Sequence, residues 1–99
     1  MQYIAITKEY FDKDNGNSYF STRIEDVEND RMYILPFQYG YGTQSEHETK
    51  KVIKCFNKNV SWNDIKFIKI DRCLKREVKQ HGKGIEENYI SDPGYYYQD

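Results

Sequence analysis

The sequence predicts an α+β fold, an antiparallel sheet of about four strands with one helix packed on one face. β-Branched and aromatic residues crowd the first third of the chain, turn signals break them at short intervals, and a segment with helix-start signals and an apolar stripe follows near the middle. The 99 residues suit a single small domain over residues 1–99. A domain this size buries only roughly 60 to 65% of its unfolded surface, so its core is thin. The hydrophobic fraction is low at 37%, but ten Tyr and five Phe raise the aromatic share to 16% and supply large buried area per residue.

Tyr3 to Phe11 reads as the first strand, with Ile4, Ile6 and Tyr10 on one face and Tyr3, Ala5 and Phe11 on the other. Asn15-Gly16 then marks a hairpin turn, because both residues tolerate positive φ. Ser18 to Val27 is the second strand, with Phe20 and Ile24 on its apolar face. After a turn at Glu28-Asn29-Asp30, Arg31 to Phe37 makes the third, and Pro36, which has no N–H for a ladder, belongs at an edge, an end or a bulge. A glycine-aromatic loop, residues 38–42, leads to two overlapping capping boxes, Thr43 with Glu46 and Ser45 with Glu48. These open a helix whose stripe is Thr49, Val52, Ile53 and Phe56, with its acids early and Lys50, Lys51 and Lys54 later, as the helix dipole prefers. Asn57-Lys58-Asn59 ends it.

Ile65 to Ile70 is the fourth strand, expected to be bulged or buried on both sides because its apolar positions change face midway. Cys73 to Gln80 suits either a strand or a short helix, and the spacing of Leu74 and Val78 does not decide between them. His81-Gly82-Lys83-Gly84 reads as a loop. Residues 91–99 hold a turn signal, Asp92-Pro93-Gly94, and an aromatic tail that either docks or stays flexible.

No apolar run approaches the ~20 residues that span a bilayer, and Met1 leads directly into Gln2-Tyr3-Ile4 with no signal-peptide pattern, so the expectation is a cytoplasmic protein without membrane contact. Cys55 and Cys73 match no metal or redox spacing and are expected as core or half-buried thiols. His47 and His81 lie in no nucleophile or metal-ligand pattern, and are expected as an exposed helix residue and a turn residue. With no catalytic motif, no metal set and no expected cofactor, the sequence points to binding rather than to an enzyme. The Gly40-Tyr41-Gly42 loop before the helix is a weak anion-site pattern, since neighbouring acids would repel a phosphate.

Charge is the strongest functional hint. Residues 50–84 carry eleven Lys or Arg against three acids, although the whole chain has a net charge of −1. The stretch also holds Phe56, Trp62 and Phe67, and cations among aromatic rings suit a phosphate backbone with stacked bases. The plainer reading is a solvated lysine face. The helix dipole accounts for the early lysines, which leaves Lys66, Lys69, Arg72, Arg76, Lys79 and Lys83 as candidate binding residues. Tyr39 and Tyr41 join them, because tyrosine gives contact area with little entropy loss and keeps a hydrogen-bonding tip.

Residues 15–21, Asn-Gly-Asn-Ser-Tyr-Phe-Ser, followed by residues 35–42, Leu-Pro-Phe-Gln-Tyr-Gly-Tyr-Gly, resemble a pattern in small uncharacterised proteins encoded by bacteriophages. The resemblance covers under half of the chain and carries no activity. It implies a phage accessory protein in the host cytoplasm, binding a host macromolecule or inhibiting a host defence. A host protein is then the first expected partner, engaged through the tyrosines or through acidic turns that mimic nucleic acid. Nucleic acid bound by residues 50–84 is the alternative, and a nucleotide-sequestering protein is a third. A homodimer is expected if a free sheet face proves aromatic.

Overall fold

A computed structural model of the protein describes residues 2 to 98. Met1 and Asp99, the last residue of the expected aromatic tail, lie outside the described residues. β1 (Tyr3–Asp12), β2 (Asn17–Asp26) and β3 (Arg31–Tyr39) form an antiparallel meander. The two turns between them use the same chemistry. The Asp12 carboxylate accepts from the Asn15 side chain at 2.9 Å and from the Asp14 N–H at 3.0 Å, and the side-chain bond to Asn15 leads in holding its carboxyl below the usual range. Asp26 likewise accepts from the Asn29 side chain at 2.9 Å. Each turn then closes through a left-handed residue, Gly16 at φ 68° and Asp30 at φ 52°.

α1 (Gln44–Lys54) then crosses the sheet and returns the chain to its starting end, so that β4 (Ile65–Ile70) runs parallel to β1, from Tyr3 opposite Ile65 to Lys8 opposite Ile70. After α2 (Lys75–His81), β5 (Tyr89–Ile90) and β6 (Tyr95–Gln98) join the far side. The strand order is β4-β1-β2-β3-β6-β5. The expected antiparallel sheet of about four strands with one helix is therefore corrected to a mixed sheet of six strands with two helices. The physical reason is the helical crossover, which fixes the direction of β4, together with β6, which pairs with β3 through Tyr33 opposite Tyr97.

Alternation sends side chains to opposite faces, and each face takes one helix. On the first, Tyr3, Ala5, Phe20, Ile24, Tyr33, Leu35, Ile65 and Tyr95 form the main core with Val52 and Ile53 of α1. Thr7 and Thr22 are buried there too, and satisfy one another through a hydroxyl bond of 2.8 Å. On the second face α2 inserts the fully buried Val78, and the Ser21 hydroxyl donates to the Val78 carbonyl at 2.6 Å. β2 and β3 fall out of register between Phe20 and Thr22, where Ser21 stands opposite both Pro36 and Phe37. The expected place for Pro36 at a bulge is met there. Gly82 follows α2 at this spot, so close that a Cβ on it would lie 2.7 Å from the Phe37 nitrogen and 2.8 Å from the Ser21 Cβ.

Other local expectations change. Thr43 caps α1 without a side-chain hydrogen bond, and Ser45 is instead buried, so neither capping box forms. β4 keeps regular register with β1 and is an edge strand, leaving Ile68 and Ile70 exposed on the α2 side instead of bulged or buried twice. Cys55 is exposed and Cys73 half-buried.

Candidate functional site

The sheet end beyond α2 carries a continuous row of rings. Tyr10 of β1 stacks near Tyr19 of β2 with centroids 6.4 Å apart, and Tyr19 stacks on Phe37 of β3 at 5.1 Å. Tyr19 also meets Tyr39 edge-on at 5.8 Å, and Tyr39 meets Tyr41 at 6.4 Å. The row exists because Tyr10 and Tyr19 are directly paired across β1 and β2, as are Tyr19 and Tyr39 across β2 and β3. Tyr10, Tyr19 and Phe37 are half-buried, whereas Tyr39 and Tyr41 are 53% and 66% exposed. The rings thus show faces or edges to solvent.

Cations border this row. Lys79 of α2 holds its ammonium 5.5 Å from the Phe37 ring centre. At the other end of α2 a groove of about 700 Å³ reaches Tyr10 and brings the cations Lys13 and Arg72 together with the acids Glu9 and Asp71, beside Phe11 and Leu74. Arg72 stands there in the left-handed region at φ 58°. Across the helix a second cleft of about 540 Å³ is lined by Lys8, Arg23, Arg76, Glu77, Gln80 and His81. His81 is the last residue of α2 rather than part of a loop, and its Nε2 lies 2.8 Å from the Ile6 carbonyl. Burial, aided by Arg23 and Lys8, lowers the imidazole pKa, while the bond to Ile6 opposes that shift.

The fold therefore divides the candidate residues. Tyr39, Tyr41 and Lys79 fall on the aromatic row, Arg72 beside it, and Arg76 in the second cleft. Lys66 is exposed on β4, opposite Ile4 on the α2 side, and Lys83 is exposed just past α2. Lys69 is separated from them all. It faces the α1 side, where it pairs with Glu9 at 3.1 Å and donates to the Gly42 carbonyl at 3.1 Å. Sequence reasoning missed Tyr10, Tyr19 and Phe37 as a unit, and Lys8 and Arg23 as cations facing α2; the cross-strand pairing implied by the first hairpin was the available signal for Tyr10 with Tyr19.

Among the described residues no cluster of three His, Cys, Asp or Glu is placed to hold a metal ion, and no helix is long and apolar enough to cross a membrane. No family model, curated protein or solved structure matches this chain.

Proposed function

We propose that the protein binds single-stranded nucleic acid across the end of its sheet, as a non-enzymatic binding protein. The observation that carries this reading is the ring row from Tyr10 to Tyr39 with Lys79 over Phe37. Aromatic faces beside a cationic rim suit unpaired bases on an anionic backbone, since every base has a face to stack and every nucleotide a phosphate to neutralise. Tyr39 and Tyr41 extend the platform past the paired part of the sheet, and at its other end Arg72 and Lys13 offer donors beside the acids Glu9 and Asp71. Such a surface reads strand chemistry rather than sequence. Within the phage context that the sequence resembles, the host macromolecule would then be nucleic acid.

Fluorescence anisotropy with short labelled oligonucleotides tests this. Affinity should fall steeply with salt and favour single strands over duplex. Tyr19→Ala should weaken binding by roughly 1 to 3 kcal/mol, the usual loss for one stacked base, and Lys79→Ala should flatten the salt dependence. Absence of binding at low salt, or equal binding by Tyr19→Ala, would refute it. The exposure of Tyr39 and Tyr41 favours a second reading, a protein partner docking on those rings. A stoichiometric partner lost on Tyr41→Ala, with oligonucleotide binding absent, would select that reading.

A further inference from the structure

We propose that the cleft on the opposite flank of α2 is a site for a phosphate monoester or inorganic phosphate, held by Lys8, Arg23 and Arg76. It does not depend on the nucleic-acid reading, because α2 separates it from the ring row.

The lining is strongly biased toward donors. Lys8, Arg23, Arg76 and Gln80 bring N–H groups to one concavity that His81 also lines, against the single acid Glu77. That acid is already engaged, its Oε1 accepting from the Leu74 N–H at 3.1 Å where α2 begins. The cations outnumber Glu77 three to one and are not paired with it. Among the described residues Lys8, Arg23 and Arg76 make no ion pair, whereas Lys69 and Lys51 elsewhere each have a carboxylate partner. Three positive groups around one space against a single carboxylate leave an excess of positive charge, a cost that a bound dianion would reduce.

Arg23 is also held in place before any ligand arrives. Its Nε donates to the His81 carbonyl at 2.8 Å and its Nη2 to the Lys83 carbonyl at 3.5 Å, which anchors one side of the guanidinium and leaves N–H groups over for the cleft. Lys8, Arg23 and His81 are half-buried and form the floor, while Arg76 and Gln80 are exposed and form the wall. Since the Ile6 carbonyl can only accept, His81 carries its proton on Nε2, and the other ring nitrogen can gain one when an anion is near. At about 540 Å³ the space holds a phosphate together with the group it esterifies.

The test is an NMR titration of the intact protein at constant ionic strength, with inorganic phosphate in one arm, adenosine 5′-monophosphate in a second and chloride as control. Saturable shifts at Arg76, Gln80 and the His81 ring with phosphate, absent with chloride, are expected. Arg76→Gln and Lys8→Gln, both chosen to leave the fold intact, should each weaken binding about tenfold, the scale of one charged hydrogen bond. Tyr19→Ala should leave it unchanged. Equal affinity in the two phosphate arms means the phosphate group alone is recognised, and tighter monophosphate binding means the cleft also holds the esterified group. Shifts that never saturate, or that spread equally over Lys50, Lys51 and Lys54 of α1, would overturn the proposal.

Discussion

Replacing Gly82 by alanine should loosen α2 from the sheet. The residue has φ −92° and ψ 7°, which alanine tolerates, so the perturbation is steric and not conformational. The added Cβ would stand 2.7 Å from the Phe37 nitrogen, 2.8 Å from the Ser21 Cβ and 3.1 Å from the Pro36 carbonyl carbon. Two of these three atoms are backbone at the β2–β3 bulge, and the third is the first atom of a side chain tied to the Val78 carbonyl, so no flexible group can swing aside. Overpacking of this kind costs about 1 to 3 kcal/mol. Loss of glycine's freedom in the unfolded chain offsets about 0.4 to 1 kcal/mol of it. The net loss is then about 1 to 2 kcal/mol, or a fall in Tm of about 5 to 15 °C for a domain of this size. Thermal and urea unfolding followed by circular dichroism would measure it, with exposed Lys83→Ala as the control expected within about 0.5 kcal/mol of the parent. An unchanged or raised Tm for Gly82→Ala would show that α2 does not seat against the bulge, and both proposed surfaces would lose their frame.

Val78→Ala should cost about 2 kcal/mol in the same unfolding assay, because Val78 is the only buried side chain of α2; a loss under about 0.5 kcal/mol would mean that polar contacts alone hold the helix. Alkaline stability should depend on Tyr33, whose phenol is pushed up to about 12 mainly by burial, with Asp26 adding to it. Below pH 10 the phenol is protonated in folded and unfolded chains alike. Between about 10 and 12 the unfolded chain loses the proton first, so stability falls with rising pH by at most about 1.4 kcal/mol per unit for this group. Tyr3 and Tyr95, raised by burial as well, add to the slope. Urea midpoints measured across that range should therefore drop less in Tyr33→Phe than in the parent, and equal drops would refute the assignment.

The meander was legible because its signals are local. Asp12-Lys13-Asp14-Asn15-Gly16 and Asp26-Val27-Glu28-Asn29-Asp30 place Asp three residues before Asn and a left-handed residue next, and both turns form on that pattern. The Val52 and Ile53 stripe of α1 was readable from its spacing. The direction of β4 was not, since hydrophobic pattern carries no information about which strand a crossover will reach. Nor was α2, where Leu74 and Val78 have helical spacing but Leu74 stays exposed and Val78 alone is buried. A seven-residue helix with one anchor is decided by a distant contact, here Ser21 with Val78 and Gly82 with the bulge.

The same distant contacts decide what the charge asymmetry means. Counted along the chain, residues 50–84 hold an excess of eight positive charges, being eleven bases less three acids. Counted by face, the excess breaks up. Lys69 goes to the α1 side and is spent on Glu9, and Lys50 lies 4.4 Å from the Trp62 ring centre. The α2 side keeps Lys66, Arg76 and Lys79, and gains Lys8 and Arg23 from strands whose local sequence is acidic or neutral. Two cations that sequence counting assigned to an acidic half thus complete the positive side. A protein-wide potential from net charge would predict neither surface, because at −1 the molecule has no long-range pull on an anion. Attraction on the α2 side must act within about a Debye length, ~8 to 10 Å in ordinary salt. Binding there should accordingly depend on local contacts in the cleft or along the rings, and not on long-range attraction from the protein's net charge.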